Sequence, residues 1–170
     1  MSWEFVHYGI GRWLHILFGM MWVGLLYYFN FVQGAAMERA NARTPPEGGA
    51  IVRNVVPIAL AWFRWAAVGT WVMGAFLLGD RFDEAFLFRE PAYVPIGIGA
   101  WLGTIMLFNV WVLIWPNQKR VLGLVAASDA EKAKARRVAF LASRVNVMLS
   151  LPMLFFMASS GTFHFPVFAR

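Results

Sequence analysis

Four long runs of apolar residues, separated by short stretches rich in charges, prolines and glycines, organise this chain. The first predicts a helix over about Trp13 to Gln33, apolar apart from His15, Tyr27, Tyr28, Asn30 and the closing Gln33. The segment after it, Gly34 to Val56, gathers Arg39, Arg43, Pro45-Pro46, Gly48-Gly49 and Arg53 and reads as a polar loop. A second helix is expected from Pro57 to Leu78, since a proline's missing N–H costs nothing in a first turn, and Gly79-Asp80 ends it. Arg64 is its single charge. The loop to Pro95 carries an aromatic stretch, Ala85 to Phe88, suited to a membrane interface. A third helix is predicted over Ile96 to Trp115, with Pro116 as its stop. Ser128 and Glu131 then have capping-box spacing and open a basic amphipathic helix that leads into the fourth run, Val138 to Phe165, with a kink expected at Pro152.

Each run meets the roughly 20 residues needed to cross about 30 Å of hydrocarbon. The fold class that follows is all-α: an integral membrane four-helix bundle with short loops, a single transmembrane domain over residues 1–170. Composition agrees, with 60% hydrophobic residues, 14% charged residues and a mean hydropathy of +0.58. The absence of cysteine rules out disulfides, thiolate metal sites, iron–sulfur clusters and covalent haem attachment. The start, Met1 to Arg12, contains Glu4, His7 and a Gly9-Ile10-Gly11 turn without a cleavage signature, so the first helix is expected to serve as its own insertion signal.

A net charge of +6 suggests nucleic acid only until its distribution is considered. Three Lys and Arg follow the first helix and six follow the third, against four on the other side: Arg12, Arg81, Arg89 and Arg170. This asymmetry reports orientation and predicts both termini on the non-cytoplasmic side. The lipid bilayer is the expected partner and nucleic acid is not.

Two constellations carry candidate chemistry. His7, His15 and His164 fall near the same membrane surface, and an imidazole pair from two helices is how a bundle holds b-type haem or a metal without covalent attachment. Trp22 shares a face with His15. Met153, Met157 and His164 align within about 20° at 3.6 residues per turn, which makes His15, His164 and Met157 the candidate cofactor ligands. The competing reading is that these are rings at helix ends. At the opposite surface lie Asn30, Gln33, Arg64, Asn109, Asn117, Gln118, Arg144 and Asn146, with no acidic residue inside a helix to pair the two arginines. Guanidinium forks and amides suit a planar anion, so Arg64, Arg144, Asn30, Gln33 and Gln118 form the candidate substrate set, against arginines that merely snorkel to headgroups. The many tryptophans fit an aromatic belt. No Walker loop, hydrolase elbow, zinc pattern or intramembrane carboxylate pair is present.

Several strings carry a family resemblance: Trp13-Leu14-His15-Ile16-Leu17, the stretch Trp22 to Gln33, Phe63-Arg64-Trp65, Asn109 to Gln118, and Ser143 to Met157. Together they resemble the membrane domain of the membrane-bound urate oxidase (urate hydroxylase) family. That resemblance implies a multi-helix membrane domain joined to a C-terminal c-type cytochrome, oxidation of urate, and electrons passing to the cytochrome. This sequence ends at Arg170 without a cysteine, so it reads as a truncated member lacking the cytochrome. The His15 and Trp22 pair is more distantly similar to small haem-binding protoporphyrinogen oxidases.

Two functions are therefore expected. In one, a membrane-embedded redox protein, an oxidoreductase of urate-oxidase type, binds b-type haem and passes electrons to an external cytochrome c or membrane protein partner. In the other, the fold is a non-catalytic accessory subunit of a larger respiratory or photosynthetic membrane complex. A bacterial inner membrane is the expected location. A small transporter is the weakest reading, because broken-helix repeats are lacking.

Overall fold

The computed structural model describes residues 2–159 and is helical throughout its ordered elements, with no strand among those residues. Four helices are long and apolar enough to cross a membrane: α1 (Phe5–Asn41), α3 with its continuation (Val56–Phe86), α5 (Pro91–Val121) and α6 (Asp129–Ser159). Within the second of these, α3 proper is Val56–Leu78 and the short α4 is Phe82–Phe86; α2, Gly48–Asn54, lies in the first connection. Close backbone approach joins the four long helices into a ring, with α1 packed most extensively on α3 and α5 on α6.

The core is a seam of Trp22 and Leu26 from α1, Phe63, Ala66 and Ala67 from α3, Met106 and Val110 from α5, and Ala142 and Met153 from α6. Large apolar side chains also cover the outside, among them Ile58, Trp62, Met20 and Met148. An aqueous solvent would penalise that exterior, whereas hydrocarbon does not, so the burial pattern is that of helices solvated by lipid.

Several boundaries differ from the expected ones, each for a local reason. α1 begins at Phe5 and not at Trp13, so Gly9-Ile10-Gly11 is helical and not a turn. Gly11 permits close approach to α3, since a Cβ there would lie 3.0 Å from the Phe76 ring. At its other end α1 runs through Gln33 to Asn41, because Gly34 is followed by the good helix formers Ala35, Ala36, Met37, Glu38, Arg39 and Ala40. The expected long loop therefore shrinks to a turn between α1 and α2.

The third helix continues past Pro116 to Val121. A wide π-type segment, Asn109–Ile114, immediately precedes it, and the Trp115 N–H reaches back five residues to the Val110 carbonyl. Pro116 thus falls where the bonding ladder changes step, and its missing donor breaks no established α-helical run. α3 starts as expected with Pro57 in its first turn, and it ends at Gly79, whose φ of +52° is readily adopted only by a residue without a side chain. α6 is continuous through Pro152; the expected end of this helix at Phe165 lies outside the described residues.

The capping box is formed as its spacing predicts. The Ser128 N–H donates to Glu131 Oε2 at 2.7 Å, and the Glu131 N–H donates back to Ser128 Oγ at 3.3 Å. The basic turns of α6 consequently run into the membrane helix without a break. Ser128→Ala is expected to cost about 1 kcal/mol, read as earlier amide exchange confined to the first turns of α6.

Candidate functional site

Between α1 and α3 two imidazoles reach across to backbone carbonyls. His7 Nε2 lies 2.7 Å from the Phe76 carbonyl, and His15 Nδ1 lies 2.8 Å from the Thr70 carbonyl. A carbonyl oxygen only accepts, so in each ring the named nitrogen carries the proton. For a neutral His15 ring this fixes the tautomer: Nδ1 is the donor and Nε2 holds the lone pair, the arrangement a metal-ligating histidine needs. α3 makes room for the ring at Gly74, where a Cβ would approach His15 Cε1 to 3.0 Å. Thr70 turns its hydroxyl back onto the Ala66 carbonyl at 2.7 Å and leaves its own carbonyl to His15.

His7 is built differently. It is buried, stacked on Trp3 and packed edge-on against Tyr8 and Phe76. Met157 packs on α5, its side chain in contact range of a Cβ at Gly99, while His15 is directed at α3; the two residues address different helices. His164 lies outside the described residues. Among the described residues no group of three or more His, Cys, Asp or Glu is assembled as a metal site.

The residues expected to form one anion site separate into three arrangements. On α6, Ser143, Asn146 and Ser150 share a face and make a polar seam with α1 and α5. Asn30 Nδ2 donates to Ser143 Oγ at 2.7 Å and to the Leu26 carbonyl at 2.8 Å. Asn146 Nδ2 donates to the Met106 carbonyl at 3.0 Å, and Asn146 Oδ1 accepts from Asn109 Nδ2 at 2.8 Å. Ser150 spends its proton on the Val147 carbonyl, so the Tyr27 hydroxyl, 2.9 Å away, is the donor to Ser150 Oγ. Two π-type segments, Tyr28–Gln33 in α1 and Asn109–Ile114 in α5, adjoin this seam.

Arg64 forms the second arrangement. Its guanidinium stacks 3.6 Å above Trp115, with Lys119 Nζ 5.9 Å from the same ring. Arg64 Nε and Nη1 are buried without a hydrogen-bond partner. Gln33 Oε1 is likewise buried and unpaired. Arg144 makes the third: it is exposed and lies over Phe140 at 5.1 Å and Phe31 at 5.9 Å. Asn117, beside Gln118 in the last turns of α5, donates to the Leu113 carbonyl at 2.7 Å.

Sequence reasoning picked out Asn30, Asn109 and Asn146 without seeing that Tyr27, Ser143 and Ser150 complete their bonding. The available signal was the three-and-four spacing of Ser143, Asn146 and Ser150, which puts all three on one helical stripe.

The chain matches no curated protein and no solved structure. Residues 84–170 match the family model described as urate oxidase N-terminal. The matched stretch begins in α4 and contains α5 and α6, with Asn109, Trp115, Gln118, Arg144 and Asn146 inside it and His15 and Arg64 outside it. Because the match covers half of the chain and falls on the helix pair that carries the buried asparagines, this protein belongs to the urate oxidase N-terminal family.

Proposed function

We propose that this chain is a redox-linked membrane domain in which His15 holds a b-type haem and electrons pass to an external cytochrome. The observation that carries the reading is the bond of His15 Nδ1 to the Thr70 carbonyl, which leaves Nε2 as the ligating nitrogen of a neutral, half-buried ring. Those features fit an axial ligand. The haem, when bound, would supply a one-electron couple. The protein's own contribution is positional: Thr70 holds the tautomer, Gly74 clears the space, and the apolar walls exclude water.

A second reading, an accessory subunit without catalysis, rests on the same contacts seen as helix fasteners. His7 and His15 both spend a proton on α3, and such bonds pin α1 to α3 whether or not a cofactor is present.

Oxidised and dithionite-reduced visible spectra of the detergent-purified protein separate the two. The redox reading expects a reduced α-band in the b-haem region that His15→Ala removes while the variant keeps its helical circular dichroism. A colourless protein that copurifies with a larger complex would overturn it in favour of the accessory subunit.

A further inference from the structure

Arg64, stacked on Trp115, stands one helical turn before the first residue of a groove. Below the Arg64–Trp115 stack, α3 and α5 leave an outward-facing apolar channel of about 410 Å³, walled by Val68 and Trp71 from α3 and by Thr104, Phe108, Trp111 and Val112 from α5. These residues follow Arg64 and precede Trp115 at helical spacing, so the channel continues the line of the stack along the bundle. Its two walls are joined by Trp71 Nε1, which donates to Thr104 Oγ1 at 2.9 Å.

Length places the two parts in different layers of a bilayer. At 1.5 Å per residue the 31 residues of α5 span about 46 Å, which exceeds the hydrocarbon by about 8 Å at each end. Trp115 stands six residues, about 9 Å, from the end of α5 at Val121, at the boundary between headgroups and chains. From there to Thr104 is about 16 Å, the depth of one leaflet.

The cations at the head lack a counter-ion: among the described residues the ion pair is Arg43 with Glu47, at 2.8 Å on an exposed turn. Arg64 as a whole is half-buried although its Nε and Nη1 are covered, so part of the side chain reaches the surface.

We propose that the α3–α5 groove is a binding site for one anionic phospholipid, its phosphate on Arg64 and Lys119 and one acyl chain along the channel. Charge complementarity selects the headgroup, and an apolar groove one leaflet deep selects the chain. The site is independent of His15 and stands or falls apart from the haem.

Native mass spectrometry of the delipidated protein, titrated with phosphatidylglycerol and with phosphatidylcholine, tests it. One phosphatidylglycerol is expected to bind about tenfold tighter than phosphatidylcholine, whose choline ammonium would set a further positive charge beside Arg64 and Lys119. Arg64→Gln is expected to erase that preference. Val68→Trp, which fills the channel and keeps the guanidinium, is expected to weaken phosphatidylglycerol binding as well. Equal binding of the two lipids, an undiminished preference in Arg64→Gln, or unchanged binding in Val68→Trp would each overturn the site. Displacement by glycerol 3-phosphate as effective as by the intact lipid would also overturn it, because the chain would then contribute nothing.

Discussion

Replacing Gly97 with alanine is expected to destabilise the bundle by about 3 kcal/mol, at the upper end of the usual range for overpacking. A Cβ at Gly97 would drive into the backbone carbonyl of Ala85 in α4, and it would also meet the Phe88 ring at 2.9 Å. A side chain can rotate away from an intruding methyl; a carbonyl in a helical turn cannot move without its helix. Ala85 is fully buried, and Trp101 Nε1 ties the same turn to α5 through the Phe86 carbonyl at 2.9 Å, so α4 has nowhere to yield. Gly103, on the same helix, has nothing within 4 Å of its Cβ position. Gly103→Ala is therefore expected to be neutral or to add up to about 1 kcal/mol through helix propensity. Thermal unfolding of the two variants in one detergent makes the comparison. Equal melting temperatures would mean that α4 is not seated on α5 as described.

Asn146→Ala is expected to cost about 2 to 3 kcal/mol, far more than its small volume suggests. Asn146 is fully buried and joins two partners on α5, the Asn109 amide and the Met106 carbonyl. Removing it strands the Asn109 amide where neither water nor lipid can satisfy it, and that desolvation dominates the loss. A double-mutant cycle isolates the pair. Asn109→Ala combined with Asn146→Ala should cost less than the sum of the single changes by about 1 kcal/mol, within the range for interhelical hydrogen bonds in membranes. Strict additivity in reversible unfolding would show that the two amides are not coupled.

Much of the architecture was legible because a bilayer imposes a coarse rule that hydropathy obeys. Four apolar runs became four long helices, Pro57 opened α3, Gly79 closed it, and Ser128 with Glu131 capped α6. The errors share a cause: residues that break helices in water were read as breaks here. Gly9, Gly11, Gly34 and Pro116 all lie inside continuous helices, Gly34 carried by the helix formers after it and Pro116 by the change of bonding step before it.

The candidate site was less legible, because spacing along one helix says which residues share a face but not which neighbour that face meets. Arg64 and Arg144 looked like a pair from their similar depth. In the folded chain one addresses Trp115 on α5 and the other Phe31 on α1. His15 was identified by residue type, while its partner, the Thr70 carbonyl, is a backbone atom that no residue type marks.

The π-type segments of α1 and α5 also bear on how related sequences should be compared. A turn that bonds five residues back accommodates one residue more than an α-helical turn, so each segment amounts to a single-residue insertion absorbed within a membrane span. A relative shorter by one residue between positions 28 and 33 would close the π-type turn to an α-helical one and leave the helix on either side facing as it does here. Only residues within the turn itself, Asn30 among them, would change their facing toward Ser143. In aligning members of this family, a one-residue gap inside an apolar run is therefore compatible with the same helix faces meeting on either side of it.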